Sequence, residues 1–273
     1  AYAQMAGRIS ALSGVVPQIS LVLGPCGGIA SALAGMTDVT IMSKNGQLFV
    51  NGPMVVSAAA GKQMDMEALA GAQASARSGM TQITAGTDEE AVAAARKLLS
   101  MLPVNNMDEA IGDSADDVNR ELAELNGVDR IGDARDLIRS VCDAGDFVEL
   151  DADFAPSMVV GLGRIGGSTV GFVANQAEKD EGRMTVYGCK KAARFVSFCD
   201  CFSIPVVTVV DTMGMKVSTA PQGELARTAA QLMFAMTEAT TVRVALIAGN
   251  AVGMGYAALA SRASSDVVYA WPG

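Results

Sequence analysis

The chain has 273 residues and a mass of 28.0 kDa; it is half hydrophobic and 18% charged, with mean hydropathy +0.31. At roughly 100–200 residues per domain this predicts two domains or one large one, and it excludes disorder driven by charge and low apolarity. A net charge of −9 leaves no footprint for nucleic acid, and zero histidines rule out Ser-His-Asp, Cys-His and histidine-metal chemistry.

Residues 1–10 (AYAQMAGRIS) show neither a basic-then-apolar leader nor a cleavage site, and read as the interior of a longer sequence. Residues 19–36 are uncharged throughout, a length at the lower edge of a membrane span. Gly24-Pro25 and Gly27-Gly28 in its centre instead predict a strand over 18–23, a glycine turn and a buried helix over 29–36. Residues 40–42 and 47–50 flank a turn at Lys44-Asn45-Gly46, and Gly52-Pro53 precedes another helix. Residues 88–102 open with acids, close with Arg96 and Lys97 and stop at Pro103, as a helix that respects its dipole does.

Residues 104–127 are rich in Asn, Asp and Glu and poor in large apolar side chains, which predicts a connector between a first domain, 1–103, and a second, 128–273. Within the second, 133–143 reads as a helix, 158–165 and 169–174 as a hairpin around Gly166-Gly167, and 189–201 as an amphipathic helix. Residues 204–211 form a β-branched run suited to a buried strand of an α/β layer, ending at Asp211, a helix-capping or loop-ordering carboxylate. The apolar run before Trp271-Pro272-Gly273 ends without a polar cap, so this end also reads as interior. Five scattered cysteines, an odd number, read as reduced thiols and predict a cytoplasmic protein. Cys199-x-Cys201 lacks the second half of a metal site, so no metal is expected, and the 16 methionines read as adaptable core filler.

The most informative pattern is an internal echo. Residues 21–30 and 246–255 both carry an apolar strand, a Gly-x-x-x-Gly turn (Gly24 to Gly28, Gly249 to Gly253) and a small-residue helix. Both then reach an aspartate before a new strand, Asp38 and Asp266. A glycine turn feeding a helix presents unpaired backbone N–H groups at the positive end of the helix dipole, a place for an anion or a developing oxyanion that needs no titratable side chain. Neither turn matches the phosphate-loop or dinucleotide pattern, which disfavours nucleotide binding.

Five segments in order along the chain carry a family resemblance: Gly24-Pro25-Cys26-Gly27-Gly28; Gly163-Arg164-Ile165-Gly166-Gly167 with Val173-Ala174-Asn175-Gln176; Lys191-Ala192-Ala193-Arg194-Phe195 with Phe198-Cys199-Asp200; residues 204–211; and Asp266-Val267-Val268-Tyr269-Ala270-Trp271-Pro272. Together they resemble the carboxyltransferase subunits of biotin-dependent acyl-CoA carboxylases and decarboxylases, of the propionyl-CoA carboxylase beta and methylmalonyl-CoA decarboxylase alpha type. The resemblance implies an α/β fold of two tandem crotonase-like domains of the ClpP/crotonase superfamily, both incomplete in this chain. It implies biotin carried on a separate protein or domain, an acyl-CoA substrate, and a biotin carboxylase or membrane decarboxylase partner. It also implies a homo-oligomer, a dimer or trimer of dimers, whose active site lies between the N domain of one subunit and the C domain of another.

By the same resemblance, Gly28 and Ile29 supply the N–H pair for the thioester enolate, and Met254 and Gly255, with Gly253, the pair for the biotin ureido oxygen. Gly24, Pro25, Cys26 and Gly27 fall to the acyl-CoA. Read from charge alone, Lys190, Lys191 and Arg194 form a basic cluster on the 189–201 helix, with Lys191 and Arg194 expected to meet the CoA phosphates and a solvated face as the alternative. Carboxybiotin would release CO2, the biotin enolate would take the α-proton, and the thioester enolate would capture CO2. The family has glycine where this chain has Ile29 and Met254, and Val-Asp-x-Pro-Gly-Phe where it has Val210-Asp211-Thr212-Met213-Gly214-Met215. Residues 69–72 resemble a segment followed in the family by His-x-x-x-Ser-Gly; Ser78-Gly79 is kept and the histidine is not. Met215-Lys216 lacks the rest of a biotinylation motif and reads as an ordinary loop lysine. The direction of transfer and the acyl group stay open, and so do two other readings: a crotonase-like acyl-CoA hydratase, isomerase or thioesterase, and a non-catalytic scaffold of a carboxylase complex.

Overall fold

A computed structural model describes the chain except for residues 115, 130, 220, 221 and 273, so Gly273 of the terminal Trp-Pro-Gly lies outside the described residues. Two compact units divide it: Ala1–Asn106 with Asp151–Phe154, and Met107–Leu150 with Ala155–Gly273. Residues 107–127 therefore group with the second unit and do not form a free-standing connector. Their polar composition serves backbone groups of that unit: the Arg120 guanidinium donates to the Ser140 and Cys142 carbonyls at 2.7 and 2.9 Å, and Gly112 N–H donates to Gly167 O at 2.8 Å.

The first unit contains α1 (Tyr2–Leu12), β1 (Ile19–Val22), β2 (Pro25–Gly27), α2 (Ile29–Gly35), β3 (Val39–Ser43), β4 (Gln47–Phe49), α3 (Pro53–Ala60), α4 (Met66–Ala70), α5 (Ala72–Arg77), β5 (Ile83–Ala85) and α6 (Asp88–Ser100). Strands β1, β3 and β5 make a parallel sheet with β3 central and fully buried, while β2 and β4 pair in parallel beside it. The stretch expected as a plain glycine turn thus holds a short strand, and β4 pairs back onto it across Lys44-Asn45-Gly46. Pro53 occupies the first turn of α3, where its missing N–H costs nothing, and α6 begins with a capping box between Thr87 and Glu90.

The second unit is built on a six-stranded mixed sheet in the order β11-β10-β9-β8-β7-β6: β6 (Phe147–Leu150), β7 (Met158–Ile165), β8 (Ser168–Asn175), β9 (Val206–Thr212), β10 (Arg243–Ala251) and β11 (Val267–Ala270). The first three are antiparallel, and β8 to β11 run parallel with helical crossovers through α8 (Val186–Cys201), α9 (Gly223–Glu238) and α10 (Met254–Leu259). Gly166 and Gly167 adopt φ of 60° and 82°, the left-handed pair a two-residue hairpin turn needs, and the Asp143 carboxylate accepts from both of their N–H groups at 2.8 and 2.7 Å. Helix α7 (Ala134–Val141) packs on one core with Val159, Phe172 and Val209, and Trp271 closes it, donating from Nε1 to Val128 O at 2.8 Å. Among the described residues, no helix is long and apolar enough to cross a membrane.

The echo is structural and longer than the sequence pattern. Apart from the short β2 before α2, the order α1-β1-α2-β3 in one unit matches α9-β10-α10-β11 in the other, with β1–β3 and β10–β11 both parallel. Each copy opens with the same clasp. Gln18 N–H donates to Asp38 Oδ2 at 2.8 Å and Asp38 N–H to Gln18 O at 3.0 Å; Arg243 N–H donates to Asp266 Oδ2 at 2.8 Å and Asp266 N–H to Arg243 O at 2.8 Å. Each short helix also ends on a doubly used carbonyl: Ala34 O accepts from the Thr37 and Thr40 hydroxyls, Leu259 O from those of Thr208 and Ser265. The second copy is three residues longer between its cap glycine and its aspartate, Gly253 to Asp266 against Gly28 to Asp38.

Candidate functional site

Both copies reach their helix through a glycine in the same unusual conformation, Gly28 at φ 60°, ψ −131° and Gly253 at φ 56°, ψ −124°. Side chains are strained at such positive φ, and the space where a Cβ would project is open at both. The next residue, Ile29 or Met254, is the first of the helix, and its N–H makes no hydrogen bond among the described residues. These two amides are the matched donors of the duplicated turns.

The expected pairs do not survive intact. Gly28 N–H donates to Phe49 O at 2.9 Å, because Gly28 continues the β2–β4 ladder before the chain turns. Gly255 N–H donates to Val252 O at 3.1 Å, closing the tight turn around Gly253. Neither is an open donor, and the two expected pairs were also one position out of step, cap and first helical residue in one copy, first and second in the other.

The surroundings explain the other glycines. A side chain on Gly27 would collide with the Phe49 ring, and one on Gly255 with Thr212. Gly249 faces the Asp211 carboxylate with no room for a Cβ, and Asp211 Oδ1 accepts from Asn250 N–H at 2.9 Å. This contact sits where β10 shifts register against β9, between Ile247 and Ala251, so Asp211 orders the bulge that leads into the second cap. Phe49, Thr212 and Met184, which shape the two turns, were not visible as site residues because each is distant in sequence from the turn it supports.

Gly24, Pro25 and Cys26 line a cleft of about 490 Å3 in the first unit, shared with Tyr2, Leu21 and Ala30. Burial pushes the Cys26 thiol up, and the half-buried side chain packs against the core of Val22, Ala34, Met42, Leu48 and Ala72. Ile29 is 55% exposed and Met254 40%, so neither side chain is a core residue of its unit. The basic cluster on α8 is split. Lys191 is buried with Ala192, Phe195 and Cys199, so it does not reach phosphates at the surface, whereas Arg194, one turn on, is exposed. Lys190 pairs with Glu224 at 3.1 Å. Among the described residues no group of three or more Cys, Asp or Glu is arranged to hold a metal ion, and Cys199 is buried while Cys201 is exposed.

Two tandem α/β units with matched glycine caps define the crotonase-like carboxyltransferase fold, and the comparisons agree. The chain belongs to the carboxyl transferase domain family, whose model matches residues 1–273. It is 39% identical over 269 residues to the methylmalonyl-CoA carboxyltransferase 12S subunit of Propionibacterium freudenreichii subsp. shermanii, covering 96% of this chain and 51% of the relative. It is 36% identical to the propionyl-CoA carboxylase beta chain of Saccharopolyspora erythraea, covering 99% of this chain and 53% of the relative. The transcarboxylase 12S structure, described as a hexamer assembly with substrate binding to a multienzyme core and with hydrolysed methylmalonyl-coenzyme A bound, superposes with a TM-score of 0.94 at 37% identity. That match covers 99% of this chain and 55% of the solved one, so the chain spans about half the length of the relatives it matches.

Proposed function

We propose that the protein carrying this chain moves a carboxyl group between carboxybiotin and an acyl-CoA, with the Ile29 N–H serving the thioester oxygen and the Met254 N–H the biotin ureido oxygen. The observation that supports it is the pair of glycine caps with matching torsions, each leaving the equivalent amide open, in a chain of the carboxyl transferase domain family. A backbone donor preorganised toward a developing oxyanion is worth about 3 kcal/mol of transition-state stabilisation and needs no histidine. A hydratase or thioesterase would need only one such hole and would leave the second cap unused.

On the acyl side, the apolar cleft beside Pro25 and Cys26 suits an acyl chain, and the Ile29 N–H would hold the thioester oxygen as its α-carbon gains or loses the carboxyl group. Ile29 adds a β-branched side chain at the mouth of that cap, which narrows the approach. On the biotin side, the open space over Gly253 and the unbranched, three-torsion Met254 side chain fit a flat ureido ring. Bound biotin supplies the nitrogen from which the carboxyl group leaves or to which it returns. The chain's part is to orient the two oxygens and stabilise the charge that grows on them.

The proposal extends to a biotin carrier as partner, to biotin carboxylase or a membrane decarboxylase component, to action as an oligomer in the cytoplasm, and to Arg194 as a CoA contact. Its test is carboxyl transfer from a carboxybiotin donor to a panel of acceptors, acetyl-, propionyl- and crotonyl-CoA, run beside direct binding. Transfer to at least one supports the proposal. Binding without transfer supports a scaffold, and hydration or thioester hydrolysis without carboxyl transfer supports the crotonase-type alternative.

A further inference from the structure

The second cap rests on a loop, and the loop rests on a strained turn. Asp180, Glu181 and Gly182 have successive φ values of 52°, 54° and 63°, a left-handed turn in which two of the three residues carry side chains. Such residues cost about 1 kcal/mol or more each, so surrounding contacts must hold them. Beside the Arg183–Glu181 ion pair within the turn, at 2.8 Å, most of the contacts run to residues 211–216. Met213 N–H donates to Glu181 O at 3.2 Å, Met184 N–H to Gly214 O at 2.9 Å and Lys216 N–H to Met184 O at 2.9 Å. Arg183 Nη1 reaches Met213 O at 3.3 Å, and Lys216 Nζ pairs with Asp180 Oδ2 at 2.9 Å. Gly182 lies directly on the Asp211 carbonyl, where no Cβ fits, and buried Asn175 donates from Nδ2 to Gly182 O at 3.3 Å.

The loop passes this constraint on. Val252 N–H donates to Thr212 O at 3.2 Å, Gly214 at φ 90° sits against Val252, Thr212 stands where a side chain of residue 255 would be, and the buried Met184 sulfur lies within van der Waals reach of the same place. Every link from residue 180 to residue 255 is thus a hydrogen bond or a close packing contact. We propose that the left-handed turn at 180–182 is a latch whose residues position the Gly253 cap through the 211–216 loop, and that Gly182 and Arg183 are positioning residues for the biotin side of transfer. The assignment of that side rests on the function proposed above; the mechanical coupling does not.

The experiment compares the intact protein with Gly182→Ala and the milder Arg183→Met. It measures amide hydrogen exchange at residues 251–256 and 26–31, and the KM values for free biotin and for methylmalonyl-CoA in carboxyl transfer between them. The latch predicts exchange at 251–256 faster by about tenfold in either variant with 26–31 unchanged, and a biotin KM raised about fivefold with the methylmalonyl-CoA KM within about twofold. Unchanged exchange at 251–256 in both variants overturns it, and so does a parallel rise of both KM values, which a general loss of structure would produce. Should Gly182→Ala fail to fold, Arg183→Met alone decides. If the unmodified protein transfers no carboxyl group to biotin, the functional reading fails and the exchange data alone decide the coupling.

Discussion

The two glycine caps reach nearly the same backbone torsions on unlike supports. The first is held by a β-ladder: Gly28 is bonded to Phe49, whose ring excludes a side chain from Gly27. The second is held by a bulge and a loop, with Asp211 tying Asn250 and Thr212 packed on Gly255. Their strands differ as well, since β1 is an edge strand of its sheet whereas β10 lies between β9 and β11. What the copies share is the Gln18–Asp38 or Arg243–Asp266 clasp at one end and an open first-turn amide at the other. The direction of that amide is therefore the common product of the two designs, and the packing beneath it is free to differ.

The sharpest way to break the comparison is to delete each amide without unfolding the helix. Proline is tolerated at the first helical position, where its φ fits and its missing N–H is not used by the helix. Ile29→Pro and Met254→Pro are each expected to lower turnover by about 10²–10³-fold, the cost of one oxyanion donor, with thermal melts close to the parent. If only one variant loses activity, the two caps are not functionally equivalent.

A smaller effect separates the caps by their side chains. Ile29→Gly is expected to raise acyl-CoA turnover by at least about tenfold, or roughly 1.4 kcal/mol of barrier, and Met254→Gly to change it less. Because Ile29 is exposed, its removal opens no core cavity, and the stability cost should stay near the glycine helix penalty of about 1 kcal/mol. Steady-state rates paired with melts check both halves of that statement.

The supports can be tested by stability. Asp211→Ala removes the buried carboxylate that accepts from the Asn250 N–H and is expected to cost about 1–3 kcal/mol in denaturant unfolding. Asp38→Ala removes one partly buried bond to Gln18 N–H and is expected to cost about 1 kcal/mol. In the second clasp, the Arg243 backbone N–H and then its guanidinium hold the Asp266 carboxyl below the usual range, an ionic addition that Gln18 cannot supply.

The smallest expected effect is a pH slope. Burial pushes the Asp143 carboxyl up, but the Gly167 and Gly166 N–H groups, Ser114 and Arg120 outweigh it and bring it below the ordinary value. A lowered folded-state pKa stabilises above the unfolded value, about 3.9, and that stability is lost as pH falls through the folded one. Asp143→Asn should therefore flatten the decline in stability below about pH 4, read by urea unfolding across pH. An unchanged slope would show that Asp143 does not carry it.

Much of this was legible in the sequence. Strands β1, β3, β4 and β7 to β11, α6 with its acid-first, base-last charge order, the hairpin at Gly166-Gly167 and the repeated glycine turn follow from local pattern, whereas the short β2, β5 and β6 do not. The open amides were placed within one residue, yet Gly28 and Gly255 were assigned a freedom they do not have. Their acceptors, Phe49 O and Val252 O, follow from strand pairing and turn closure, which glycine spacing does not encode. Lys191 was misplaced for a similar reason: three basic residues in a five-residue span suggest one face, but 3.6 residues per turn send the middle one inward. The assignment of 107–127 to the second unit goes with Arg120 reaching carbonyls some twenty residues on, a contact that composition does not record.

The central claim is that the two caps present equivalent amides to two different oxygens. A crystal structure of the intact protein with an acyl-CoA and biotin bound tests it directly. The account predicts the thioester oxygen at about 2.7–3.1 Å from the Ile29 nitrogen and the ureido oxygen at the same distance from the Met254 nitrogen. Either oxygen held by side chains elsewhere, with the Ile29 or Met254 N–H left to water, would contradict it.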